Sequence, residues 1–260
     1  ESLMREFAGR VSKSAAQVER APLAVQRGPA TAYAASMGAG GKLLETIRAS
    51  LEENRVDLYL QPIVSLPQRK LRFYEALSRL RAEDGTVIMP AQYMEVAAGA
   101  GLMSVVDNLL LFRCVQIVRR LTQKSRDIGI FCNISGDTLG DAEFFPQFVR
   151  YMQANQDLAS QIIFEFDQNA VLRAGAVGEK NLTRLAALGF SLSMDHVETL
   201  ALDFQGLKAL GFRYLKVRAT TLTRGMSGAK ASVAAEDFKR LLSRNGLNLM
   251  NVSPYWQGSA

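Results

Sequence analysis

Apolar and polar positions change period repeatedly along this 260-residue chain, and the changes mark out alternating strands and helices. Helical spacing over 42–54 gives way to two apolar runs that read as strands, 58–64 and 71–77. A helical pair is predicted at about 90–103 and 105–121, with Pro90 suited to a first helical turn. The short apolar run Ile128-Gly-Ile-Phe-Cys-Asn133 reads as a buried strand. Three helix-strand pairs follow: 143–155 with 161–166, 172–188 with 190–195, and a short helix near 203–210 with 212–217. Strand, helix, strand, helix predicts a parallel sheet covered by helices. The length and the 48% hydrophobic content fit one large core, and an α/β barrel of this size is ordinary.

In such folds ligands sit at the carboxyl ends of the strands, which is where Glu75, Asn133, Glu165, Asp195 and Lys216 fall. Singly, each has a plain structural explanation. Glu75 suits half of an ion pair, Asn133 a turn, and Lys216 a snorkelling strand edge. Together, on successive strands, they read as a site. A carboxylate on an apolar strand is costly to bury unless it is paired or holds a metal, and Arg79, four residues after Glu75, supplies a planar fork suited to phosphate.

The first forty residues have a different character. Met4, Phe7, Val11 and Val18 fall near heptad spacing, with Ser14 at the remaining core position, which fits either the end of a coiled coil or one amphipathic helix docked on the domain. Pro22 to Gly41, rich in Ala, Gly and other small residues, reads as a linker, so the globular domain is expected from 42 to 260. The net charge of +6 is spread without a dense basic run, which suits a phosphate-bearing ligand and argues against nucleic acid. Cys114 and Cys132 stand in apolar segments without a second metal-spaced ligand, and read as reduced core residues of a cytoplasmic domain. No apolar run reaches the roughly 20 residues that span a bilayer. The chain starts at Glu1, which leaves room for an upstream segment, including a tether to the inner membrane.

Gln61-Pro-Ile-Val, Glu75-Ala-Leu-Ser-Arg79, Pro90 with Gly99-Ala-Gly-Leu102, Asn133-Ile-Ser, Phe164-Glu165 and Leu215-Lys216-Val217 resemble, in order, the motifs of the EAL domain family. The resemblance runs from about 42 to 252. It implies a modified TIM barrel and hydrolysis of cyclic di-GMP to linear pGpG. It also implies that Glu75, Asn133, Glu165 and Asp195 correspond to ligands of two divalent ions, Mg²⁺ or Mn²⁺, in keeping with the preference of hard cations for oxygen. Lys216 corresponds to the lysine near the attacking water, Gln61 and Arg79 to ligand contacts, and Leu77 to the pocket floor.

Three positions depart from the family. A second aspartate, which opens a glycine-rich loop in active members, is His196 here, and Val197 to Leu200 replace the loop. The glutamate that braces the loop is Gln168, which hydrogen-bonds but carries no charge. The last metal-binding glutamate aligns with Val252, and the barrel's final segment reads as shortened or altered. These changes predict a degenerate EAL domain, catalytically silent, that binds cyclic di-GMP as a receptor. The alternatives are an active phosphodiesterase using Asp195 and His196 in an unusual metal set, and a scaffold that has lost the nucleotide. The stretch Asp107 to Leu121, the phrase Phe131-Cys-Asn-Ile-Ser135 and the heptad remnant are most similar to the TipF type of flagellar-assembly receptor. That similarity implies recruitment of polar flagellar proteins, with a homodimer through the upstream coiled coil as one route to assembly.

Overall fold

The computed structural model describes residues 30–65, 68–123, 128–199, 202–218, 220–221 and 235–252. The heptad positions Met4 to Val18 and the segment after Val252 lie outside the described residues. The chain forms two compact units, one made of the residues up to Gln61 with Ala76–Arg113, the other of Pro62–Glu75 with the residues from Cys114 onward.

The first unit contains helix α1 (Ala30–Glu52), most of strand β1 (Val56–Ser65), the second half of β2 (Lys70–Arg81), β3 (Val87–Ile88), α2 (Pro90–Gly99) and the start of α3 (Met103–Gln123). Ile47 and Leu51, one turn apart on α1, join Val56, Leu80, Ile88, Tyr93, Ala97, Leu102 and Val106 in one apolar core. Strand β2 turns into β3 through Gly85, whose φ of 86° is the left-handed conformation a glycine takes without a Cβ clash. The two strands then pair antiparallel, Leu80 opposite Ile88. Pro90 starts α2 as predicted, and the Gln92 side chain accepts a hydrogen bond from the Met89 N–H at 2.8 Å, satisfying one donor ahead of the helix. Helix α1 begins twelve residues before the predicted 42 and runs through Gly38-Ala-Gly-Gly41. Each glycine costs a helix about 1 kcal/mol relative to alanine, which is why that stretch reads as a linker, yet the surrounding alanines favour the helical backbone.

The second unit carries the rest of the α/β succession. Its elements are β4 (Gly129–Asn133), α4 (Gly136–Gly140), α5 (Phe145–Gln153), β5 (Ile162–Asp167), α6 (Gln168–Arg173), α7 (Gly175–Ala187), β6 (Ser191–Asp195), α8 (Phe204–Ala209), β7 (Phe212–Arg218), α9 (Ala235–Arg244) and β8 (Asn248–Val252). Its strands follow the order β2-β4-β5-β6-β7-β8, and every pair from β4 to β8 is parallel. The strand at Asn248–Val252 is thus in place, with Val252 opposite Arg218. The predicted helix 172–188 is two helices with a break at Ala174 and Gly175, where glycine adopts φ 55°. Phe145, Phe148, Phe164 and Phe190 stack in sequence, with ring centroids 5.2–5.3 Å apart, between the helices and the sheet.

Candidate functional site

Side chains alternate across a strand, so residues two apart share a face. On β7 this places Tyr214, Lys216 and Arg218 on one face; on β5 Glu165 and Asp167; on β6 Ser193 and Asp195. The neighbouring strands continue the layers. Phe73, Phe131 and Tyr214 form an edge-to-face trio with centroids 5.3–5.5 Å apart. Above it lie Glu75, Asn133, Glu165 and Lys216. Asn133 pairs in register with Glu165, which pairs with Ser193, and Asp167 pairs with Asp195.

Lys216 is the hub. Its Nζ donates to Glu75 Oε2 at 2.8 Å and to Glu165 Oε1 at 2.7 Å, and it lies 4.6 Å from the centre of the Phe131 ring. Ser193 Oγ donates to the other oxygen, Glu165 Oε2, at 2.8 Å. Lys216 and Glu165 are each 1% exposed. Burial pushes the Glu165 carboxyl up to about 7 against the opposing pull of Lys216, and the nearby Glu75 and Asp195 charges add to the rise. For Lys216, burial acts to lower the value, but Glu165, Glu75 and Asp195 outweigh it and hold the ammonium above the usual lysine range. Lys216 is therefore a fixed cation shared between two carboxylates.

Asp195 ends β6, and its Oδ1 accepts the backbone N–H of His196 at 2.7 Å. His196 stands at φ 53°, and its Nδ1 lies 3.2 Å from Asp195 Oδ2 and 3.5 Å from Asp167 Oδ2. Asp167 also caps α6, accepting from the N–H groups of Asn169 and Ala170. The loop that follows is pinned on both sides. The Val197 N–H donates to the Lys216 carbonyl at 3.1 Å. Gln168, 2% exposed, accepts from the Glu198 N–H at 2.8 Å and donates to the Thr199 carbonyl at 3.2 Å. A carboxylate could make only the first of these bonds.

The structure thus brings Glu75, Glu165, Asp195 and Lys216 to one face of the second unit, with Asn133 opposite Glu165. Glu75 sits mid-strand rather than at a strand end, because β2 continues to Arg81. Gln61, Leu77 and Arg79 belong to the first unit. There the Arg79 guanidinium lies over the Tyr59 ring, 5.3 Å from its centroid, and donates to the Ser78 carbonyl at 2.8 Å. Asp167, Ser193 and Phe131 touch this cluster and Arg218 shares its strand face, and the motif reading passes over all four. Each stands two positions from a residue it singled out, so the strand period alone locates them.

The family model for the EAL domain matches residues 44–250. The chain belongs to the EAL domain family. Among curated relatives, it is 29% identical over 173 residues to cyclic di-GMP phosphodiesterase PdeB of Shewanella oneidensis, a match covering 66% of this chain and 20% of that protein. It is 25% identical over 175 residues to cyclic di-GMP phosphodiesterase PdeF of Escherichia coli, covering 67% and 23%. The chain therefore matches only about a fifth to a quarter of the length of these relatives. Among solved structures, the EAL domain of Xanthomonas citri FimX, in complex with c-diGMP, superposes with a TM-score of 0.67 at 17% identity, covering 86% of this chain and 87% of that one. The PaMucR phosphodiesterase, in a c-di-GMP complex, gives 0.66 at 24%, covering 81% and 85%. The fold class is the α/β, TIM-barrel-derived fold of the EAL domain.

EAL chemistry implies two divalent ions, and the donors of this chain do not fit them. Among the described residues, no group of three or more His, Cys, Asp and Glu side chains is arranged to hold a metal. Three carboxylates of the implied set already face cations or donors of the chain itself: Glu75 and Glu165 face Lys216, and Asp195 faces His196. At the Val252 position no carboxylate is available. What the arrangement does provide is a buried floor in which Lys216 faces Glu75 and Glu165, with Asp167, Asp195 and His196 in the next layer toward the strands' carboxyl ends. Among the described residues, no helix is long and apolar enough to cross a membrane.

Proposed function

We propose that this EAL domain binds cyclic di-GMP and does not hydrolyse it, acting as a receptor for the nucleotide. The observation that carries the reading is that Glu75 and Glu165 are engaged by the Lys216 ammonium, while the His196 ring stands against Asp195. Two-metal hydrolysis uses such carboxylates to hold ions that activate water and steady the leaving oxygen, and carboxylates already engaged by the chain's own side chains do neither. Binding needs less. Gln61, Leu77 and Arg79 stand at the positions that the resemblance to the family assigns to ligand contact. Nucleotide binding in this reading does not depend on Mg²⁺ or Mn²⁺.

The test is calorimetry with cyclic di-GMP, with Mg²⁺ and again with EDTA, followed by chromatography of the same samples for pGpG. Binding under both conditions without pGpG is expected. Release of pGpG with Mg²⁺ or Mn²⁺, abolished in Glu75→Ala, would instead establish the phosphodiesterase named in the relatives. No binding at tens of micromolar would leave a nucleotide-free scaffold. The similarity of residues 107–121 and 131–135 to the TipF type extends the proposal to nucleotide-dependent recruitment of polar flagellar proteins by a membrane-tethered chain, dimeric through its upstream coiled coil. Loss of polar foci of the fluorescently tagged full-length protein in cells depleted of cyclic di-GMP is the matching outcome.

A further inference from the structure

Phosphate recognition needs an accessible cation; Arg79 belongs to the first unit, and in the second unit the lysine the family resemblance points to cannot supply one. Lys216 is 1% exposed, with its Nζ bonded to Glu75 and Glu165 over a ring face. Its charge is spent on the floor. Two residues further along β7, on the same face and one layer nearer the strand's carboxyl end, stands Arg218, half-buried and opposite Val252 in register. The carboxylates on this face have other partners: Glu75 and Glu165 take Lys216, while Asp167 and Asp195 flank His196. No described residue makes a hydrogen bond or ion pair with the Arg218 guanidinium.

We infer that Arg218 is the phosphate-anchoring residue of this site, its guanidinium making a bidentate contact to a phosphodiester of the nucleotide in place of a metal ion. This rests on the receptor reading above. A guanidinium is planar and always charged, and it matches two phosphate oxygens with two parallel N–H donors. Strand alternation places it on the face of Lys216, one layer nearer the carboxyl end than the Glu75–Lys216–Glu165 cluster. The site would then take a phosphodiester through a side chain where relatives with a full metal set use ions, and chelation would leave the affinity unchanged.

Calorimetry with cyclic di-GMP in EDTA tests this on the wild-type protein and on Arg218→Ala, Arg218→Gln, Arg218→Lys and Arg213→Ala. Arg213 is on the same strand, exposed on the opposite face, and controls for net charge. Arg218→Ala and Arg218→Gln should weaken binding about 10- to 100-fold, the range for losing a charge-assisted phosphate contact, with Arg218→Lys between them and wild type and Arg213→Ala within twofold of wild type. Should the alanine variant melt early, the glutamine variant, which keeps most of the side-chain stem, decides. Wild-type binding with equal affinity in the Arg218 variants overturns this inference and leaves the receptor reading standing. No binding by the wild-type protein overturns both.

Discussion

The ion pairs around Lys216 have a defined energetic weight. Breaking a buried pair by removing one partner leaves a charge without compensation and destabilises by about 3–5 kcal/mol. Lys216→Met should therefore lower the unfolding free energy measured in urea by that amount, and Lys216→Met combined with Glu165→Gln should recover part of it, because the second change removes the stranded buried carboxylate. Failure of the double variant to recover any stability would show that Glu75, not Glu165, carries the coupling. A second buried polar group lies in the first unit, where the Tyr93 hydroxyl is bonded to Ser78 Oγ. Burial raises the Tyr93 phenol above its ordinary value, against the bond from Ser78. The folded state therefore keeps a proton that the unfolded chain gives up. The stability this contributes is present below the unfolded value near 10 and is lost as pH rises past it. Tyr93→Phe should cost about 1–2 kcal/mol at about pH 8, and should lose less further stability than wild type at about pH 10.5. Parallel losses in urea melts would place the pH dependence elsewhere.

At the scale of elements, the segment after β6 is held by its own backbone and by one side chain. His196 takes a left-handed backbone that glycine adopts freely, while Val197 is buried and Gln168 grips the two residues after it. Gln168→Glu, nominally a return to the family residue, should destabilise by about 1–3 kcal/mol, since it forfeits the donor to the Thr199 carbonyl and buries a charge beside it. Thermal melts of the two proteins decide the point, and a variant more stable than wild type would contradict it. The strand period makes much of this site legible in advance. Glu75, Asn133, Glu165, Asp195 and Lys216 all fall on predicted strands because a polar residue in an apolar run stands out. Arg218 and Asp167 do not stand out, since both come where a run ends and polar residues are ordinary. The α6–α7 break is hidden for a related reason: the small residues Ala170, Ala174 and Gly175 leave the helical pattern intact on paper, and only the backbone angle at Gly175 shows the turn.

For the whole molecule, alternation of period locates β1, β2 and β4 to β7, because each is an apolar run bounded by turn residues, while the two-residue β3 and the five-residue α4 are too short to show a period. Less could be read at the ends. The helical course of 30–41 depends on alanine propensity outweighing three glycines, a balance that pattern alone does not settle. Strand β8 depends on its parallel partner β7, since Asn248-Leu-Met-Asn-Val252 has no clean alternation of its own. Register also decides which charges meet. The 141-residue separation between Glu75 and Lys216 gives no hint in sequence that one ammonium would serve two acids.

The two-ended amide of Gln168 has a consequence for what this molecule can sense. A carboxylate brace takes up protons, attracts ions and weakens as salt rises. An amide joined to two backbone groups does none of these. The two bonds that Gln168 makes to residues 198 and 199 are therefore the same in acidic or alkaline, dilute or concentrated media, so any response of this loop to ionic conditions falls to His196 and its two aspartates rather than to the brace.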